Sequence, residues 1–283
     1  MSRDGRRPSA LVLGAVTRDL EPGGAFRPGG VVVHAGHALA RLGVRTRIVT
    51  RVATGDAAVL LAPLHTEGVE VRALPSRATT TYRNDYSGPT DRHELRGTSD
   101  PIAPDDIPAD WRHADVVQLG PLHPHDLTPA TAAVVRGFRG LDVQGLVRVP
   151  GTAMLRAAAV LPEFLPHADV VQASEQELAA MLAGDTIERF LARYGVGELI
   201  VTRGARGATI VTAGRRLDVR AAPATGTARV GAGDAFLATY LLARAQGEPP
   251  AAAGGAAARV SALKVAHGDL PPGEVARIIR SRT

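Results

Sequence analysis

Short apolar runs bounded by glycine and polar residues recur along the chain, and alanine-rich stretches with helical spacing lie between them. The run ALVLGAV (10–16) ends near glycine, as a strand buried on both faces does. HAGHALARLG (34–43) has helical spacing with a glycine stop and leads into the strand-like RTRIVTRV. ADVVQLG (114–120), GLDVQGLVR (140–148), HADVVQAS (167–174) and GELIVTRG (197–204) are further strand candidates, and PPAAAGGAAARVSALKVAHG (249–268) is a helix candidate. This alternation predicts an α/β fold, a doubly wound and mostly parallel sheet with helices on both faces and ligands at the carboxyl ends of its strands. One segment breaks the rhythm. RATTTYRNDYSGPTDRHELRG (77–97) is rich in Thr and Tyr, is broken by Ser-Gly-Pro, and predicts a hairpin of polar strands, either a lid or a plain edge hairpin.

Composition narrows the picture. At 283 residues, 45% apolar and 22% charged, the chain suits an ordinary soluble protein, and with no internal repeat or low-complexity linker it is taken as one domain, 1–283. No apolar run approaches the roughly 18–20 residues of a membrane span, and LVLGAV behind MSRDGRR is too short for a signal-peptide core. The expected compartment is the cytoplasm. The absence of cysteine removes disulfides, thiol nucleophiles and cysteine-based zinc sites. The net charge is +5, its arginines are scattered, and a small anionic ligand is expected rather than nucleic acid or a membrane. The only lysine, Lys264, lies in SALKVAH, outside any Gly-Lys-Ser/Thr loop, so phosphate chemistry here must use glycine amides and arginine.

The candidate chemistry centres on ARVGAGDAF (228–236), where Gly231, Ala232 and Gly233 precede Asp234 and an apolar run with helical spacing. Residues without bulky side chains let the backbone turn and approach a ligand, and the N–H groups of a helix start receive an anion. By itself the stretch reads equally as a tight turn capped by Asp234. HPHD (123–126) has the residue types of a metal cluster but no further ligands at suitable spacing, and is read as a polar loop.

Four pieces in chain order resemble the ribokinase-like, or PfkB, carbohydrate kinase family. They are GAVTRD with Gly14 and Asp19, GGVVVHAGHALARLG (29–43), SEQELAAML followed by VTRGARG (201–207), and GAGDAF. The resemblance runs from about residue 11 to about 270, and it implies ATP-dependent phosphorylation of a hydroxyl of a small polyol, with ATP and Mg²⁺ as cofactors. It makes the Gly231–Asp234 loop the anion hole and Asp234 the general base. Asp19 is expected to hold a vicinal diol, with Gly29 and Gly30 passing close to it. His34 stands where the family often has asparagine, and Tyr82, Asn84, Tyr86 and Arg92 are expected to shape the substrate end. DVQGLVR resembles the inositol-kinase-like branch; it favours myo-inositol and places Gln144 near the substrate and Arg148 near the donor phosphates. The resemblance puts Ser174, Thr202, Gly204, Gly207 and His267 on the nucleotide side and has Glu177 orient Mg²⁺ through water. Segments of about 17–32 and 77–97 are the implied lid, through which a homodimer is expected.

Rival readings are a nucleoside kinase, or a non-catalytic regulator of the same fold that binds a nucleotide or a sugar. The chain also departs from the family. Ala228 and Arg229 stand where aspartate and threonine are usual, and Ser174 replaces the asparagine of Asn-x-x-Glu. In relatives that aspartate helps hold an activating monovalent cation, so its loss implies a weak or absent K⁺ site.

Overall fold

The computed structural model describes residues 6–21, 23–85, 92–149, 152, 154–226, 228–271, 273–275 and 278. Its strands are β1 (Ser9–Gly14), β2 (Thr17–Leu20), β3 (Phe26–Gly29), β4 (Arg45–Val52), β5 (Glu70–Pro75), β6 (Thr80–Asp85), β7 (Arg92–Gly97), β8 (His113–Gly120), β9 (Arg136–Asp142), β10 (Val170–Ser174), β11 (Glu198–Thr202), β12 (Ala208–Thr212) and β13 (Arg215–Val219). The α-helices are α1 (Val31–Arg41), α2 (Thr54–Thr66), α3 (Pro129–Val134), α4 (Gln144–Val147), α5 (Leu161–Phe164), α6 (Glu175–Leu182), α7 (Ile187–Tyr194), α8 (Ala232–Ala245) and α9 (Pro250–His267).

Nine strands form one sheet in the order β13-β12-β11-β10-β9-β8-β1-β4-β5. From β11 to β5 every pairing is parallel, and β12 and β13 close one edge as an antiparallel hairpin. Successive residues of β1 face opposite layers. Ala10 and Val12 join a core with α1, α2, α8 and α9, whereas Leu11 and Leu13 join a second core with α3 to α7. A strand buried on both faces is apolar along its length, which is why β1, β8, β10 and β11 stood out in the sequence. The strand order reverses between β1 and β8, and a parallel sheet opens a ligand crevice at such a point. Gly14 and Gly120 are opposite partners there, and a Cβ on either would lie 2.4 or 2.3 Å from the Val31 side chain. Both positions must be glycine for the start of α1 to seat against the sheet.

The predicted hairpin of 77–97 is present as β6 and β7, while its turn at 86–91, including Tyr86, lies outside the described residues. It belongs to a separate four-stranded sheet, β3-β2-β6-β7, in which Asp19 on β2 is the parallel partner of Tyr82 on β6. GLDVQGLVR does not form the single strand expected of it. The strand stops at Asp142, whose Oδ1 accepts the Gln144 N–H at 2.9 Å and starts the turn of α4. Among the described residues no helix is long and apolar enough to cross a membrane.

Candidate active site

At the strand-order reversal lies a cavity of about 250 Å³. Its walls bring together Asp19, Gly30, His34, Tyr82, Asn84, Gln144, Arg148, Gly231, Gly233 and Asp234, all expected from sequence at a site, with Asp142 and Arg229 beside them. The small sheet supplies one wall. Asp19 Oδ1 accepts a 2.7 Å hydrogen bond from Thr17 Oγ1, and burial raises its carboxyl above the ordinary aspartate range. Gly29 lies against that carboxylate, where a Cβ would sit 2.3 Å from Asp19 Oδ2; Gly30, at φ 85°, starts α1 with no room for a side chain beside the Ala15 carbonyl. The Tyr82 hydroxyl donates to the Leu122 carbonyl at 2.7 Å, which pins β6 to the loop after β8. Asn84 also faces the cavity, whereas the Arg92 side chain lies outside the described residues.

The opposite wall is the start of α8. Gly231 takes a left-handed conformation at φ 75°, and a Cβ there would meet the His34 ring at 2.1 Å. Only glycine permits this turn over the imidazole. No side chain caps the helix; the Ala232 N–H closes a turn onto the Arg229 carbonyl at 3.2 Å, and the next N–H groups, of Gly233 and Asp234, are left to an anion. Asp234 therefore does not cap. It sits in the first turn, buried, with Oδ1 lacking any hydrogen-bond partner. Burial first, and the nearby Asp142 carboxylate second, push its carboxyl up to about 7. A carboxyl that exchanges its proton near neutral pH is matched to taking a proton from an alcohol. The His34 ring is 9% exposed, neither nitrogen has a partner, and burial drives its pKa down to about 3. It faces the cavity as a neutral imidazole.

A buried polar chain supports this helix start. Gln172 Nε2 donates to Asp142 Oδ2 at 2.9 Å and to the Gly233 carbonyl at 3.1 Å, and Gln118 Nε2 reaches the Asp234 carbonyl at 3.4 Å. Asp142 is raised by burial and by Glu177. Glu177 itself is spoken for. One oxygen accepts the Ser174 N–H at 2.8 Å in a capping box, and the other accepts Arg148 at 3.0 and 2.8 Å. Of this pair of carboxylates it is Asp142, not Glu177, that lines the cavity. Among the described residues no group of three or more metal-ligating side chains forms. One or two carboxylates next to a phosphate site do fit a Mg²⁺ ion that arrives with a phosphate donor.

The residues expected on the nucleotide side are not drawn into this cavity. Ser174 caps α6, Thr202 ends β11, Gly204 and Gly207 form the turn into β12 at φ 56° and 86°, and His267 is exposed at the end of α9. HPHD is a loop clip: His123 Nε2 lies 2.6 Å from Asp126 Oδ1, and Asp126 Oδ2 accepts the Leu122 N–H. Thr17, Asp142 and Gln172 were assigned no role from sequence. For Asp142 the usable signal was its place at the end of a parallel strand.

An uncapped helix start facing two buried carboxylates at the reversal point of a doubly wound sheet defines a site for group transfer from an anionic donor. The family profile of pfkB family carbohydrate kinases matches residues 10–270, and the chain belongs to that family. Among solved structures it is similar to a pyrophosphate-dependent kinase in the ribokinase family in sulfate complex (25% identity, 94% of this chain and 99% of the other covered, TM-score 0.80). It is also similar to such a kinase complexed with a pyrophosphate analog and myo-inositol (22%, 96% and 99%, TM-score 0.81). A third is the Arabidopsis thaliana ribokinase complexed with ribose and ATP (19%, 97% and 99%, TM-score 0.76).

Proposed function

We propose that this protein transfers a phosphoryl group from a Mg²⁺-bound donor to a hydroxyl of a small polyol, with a cyclitol such as myo-inositol as the favoured acceptor. The observation that carries the reading is Asp234, a buried carboxyl with a free oxygen and a pKa of about 7, set in the first turn of an uncapped helix. Its carboxylate takes the acceptor's proton while the first N–H groups of α8 receive the phosphoryl oxygens. Asp142, with Glu177 behind it, would be the carboxylate side of a Mg²⁺ site, and the ion, arriving with the donor, would neutralise phosphate charge. Asp19, beneath Gly29, holds two acceptor hydroxyls. At about 250 Å³ the cavity falls below the roughly 300–1,000 Å³ of drug-sized pockets, a size suited to a sugar or cyclitol. The cyclitol preference rests on the resemblance of DVQGLVR, supported by Gln144 in the cavity wall.

ATP is the donor that the family resemblance implies. A specific observation favours a second reading, inorganic pyrophosphate. At the mouth of the cavity Arg229 is exposed with no ion-pair partner among the described residues. A free guanidinium beside the anion loop suits a compact, highly charged donor, and the neighbour at 25% identity is named for pyrophosphate. The test crosses ATP and pyrophosphate with myo-inositol, other cyclitols, sugars and nucleosides and follows phosphorylated product. Turnover confined to nucleosides would replace the polyol reading, and binding without turnover for every pair would leave a regulator.

A further inference from the structure

The chain has 33 basic residues and a single lysine. Lys264 is 7% exposed in the last turn of α9, where its Nζ donates to the Gly268 carbonyl at 2.7 Å and, among the described residues, pairs with no carboxylate within 4 Å. An ammonium has three protons to give and is strongly hydrated, so burying it with one neutral acceptor is costly. The turn that carries it is in backbone contact with the anion loop. The Ala228 N–H donates to the Val265 carbonyl at 3.3 Å, Ser261 Oγ donates to the Ala232 carbonyl at 3.1 Å, and a Cβ on Gly226 would lie 2.1 Å from the Val265 carbonyl. The charged and titratable groups that act on Lys264 electrostatically are Asp269 just beyond α9, Asp234 on α8, His34 and Arg41 on α1, and Arg27 on β3.

We propose that Lys264 is a positioning residue, a built-in cation behind the Ala228–Asp234 loop that offsets the negative charge of the phosphoryl group delivered to the other side. Lys264 also acts on Asp234: its charge favours the carboxylate and holds the pKa of that base below the value burial alone would set. The incoming donor in turn supplies the anion that the buried ammonium lacks. The inference rests on the phosphoryl-transfer reading, and its test separates the two.

Lys264→Gln keeps a donor for the Gly268 carbonyl but no charge, and Lys264→Met removes both. Both variants are expected to lose about tenfold or more in kcat, with little change in acceptor KM. Part of the activity should return to Lys264→Met on addition of ammonium, which matches the one atom removed, and the acid limb of the pH–rate profile should move to higher pH. A purely structural lysine predicts instead a lower Tm, wild-type kcat in Lys264→Gln and an unmoved acid limb, and that outcome overturns the proposal. Should the variants fail to fold, wild-type protein labelled with ¹⁵N-lysine gives one side-chain resonance, free of assignment ambiguity. Parallel titrations with Mg²⁺ and either inorganic pyrophosphate or ATP should move that signal saturably; indifference to both overturns the proposal. A response to either anion without turnover of any acceptor would sink the kinase reading and leave the role of Lys264 standing.

Discussion

Replacing Asp234 by asparagine is expected to stabilise the protein at alkaline pH while abolishing its chemistry. The native carboxyl has a pKa of about 7 against 3.8 for an ordinary aspartate, because ionising it means burying a charge. The unfolded chain releases this proton near pH 4, and the folded chain holds it until near 7. Between those values the unfolded state binds fewer protons, so stability falls as pH rises, by about 1.4 kcal/mol per pH unit. From pH 5 to pH 8.5 the folded chain crosses the upper two units of that window, for a loss of about 3 kcal/mol. Asparagine cannot ionise and does not share the loss. Any constant cost of placing its amide beside Gly233 cancels in the comparison between pH values. Urea unfolding of both proteins at pH 5 and 8.5 measures the difference, and initial rates at pH 8.5 should show kcat reduced by roughly 10²–10⁴-fold with donor affinity retained. A stability gap between wild type and Asp234→Asn that stays constant from pH 5 to 8.5 would refute the reasoning, since the carboxyl would then carry no raised pKa.

Three further outcomes follow from the same geometry. Arg148→Ala leaves the buried Glu177 without its partner, and because Arg148 is 35% exposed the cost should be about 1–2 kcal/mol in urea unfolding; kcat should fall more than donor affinity, and equal loss of affinity at unchanged kcat would place Arg148 on the ground-state donor. Hydrogen exchange in β2, β3, β6 and β7 should slow when the acceptor binds, as a lid closing over Asp19 requires, and exchange indifferent to acceptor would dismiss a lid. With alanine at 228 and a fixed ammonium at Lys264, activity should be nearly equal in K⁺, Na⁺ and bulky organic-cation buffers at constant Mg²⁺ and ionic strength; strong activation by K⁺ alone would contradict it.

The central sheet was legible in the sequence because strands with both faces buried are continuous apolar runs, as in β1 and β11, and little else in the chain looks like them. The β12–β13 hairpin escaped notice: Ala208–Val219 mixes buried Ile210 and Val211 with Arg215 and Arg216 around a turn, the pattern of an edge. The boundary at Asp142 was invisible for a different reason, since an apolar run continues from β9 into α4 and periodicity over so few residues cannot separate strand from helix. At the site, Asp19, Gly30, His34, Arg148 and Asp234 announce themselves through short motifs and do converge. What Ser174 and Glu177 do was half written in the chain, because Ser-x-x-Glu before a helix is also a capping box. The burial of Lys264 against the anion loop had no local signal, for it depends on the packing of α8 on α9 and on residues that are distant in sequence.

The pairing of Asp19 with Tyr82 across β2 and β6 divides the labour of the molecule. Groups that would meet the acceptor first stand on a small, largely polar sheet, whereas Asp234, Asp142 and the anion loop are built on the nine-stranded one. The Tyr82 hydroxyl on the Leu122 carbonyl is one of the points that tie the small sheet to the body of the large one. On the proposed reading, a change of acceptor asks for new side chains on two short strands and leaves the machinery of transfer as it is. Evolution, or an engineer, could rewrite what is phosphorylated without relearning how.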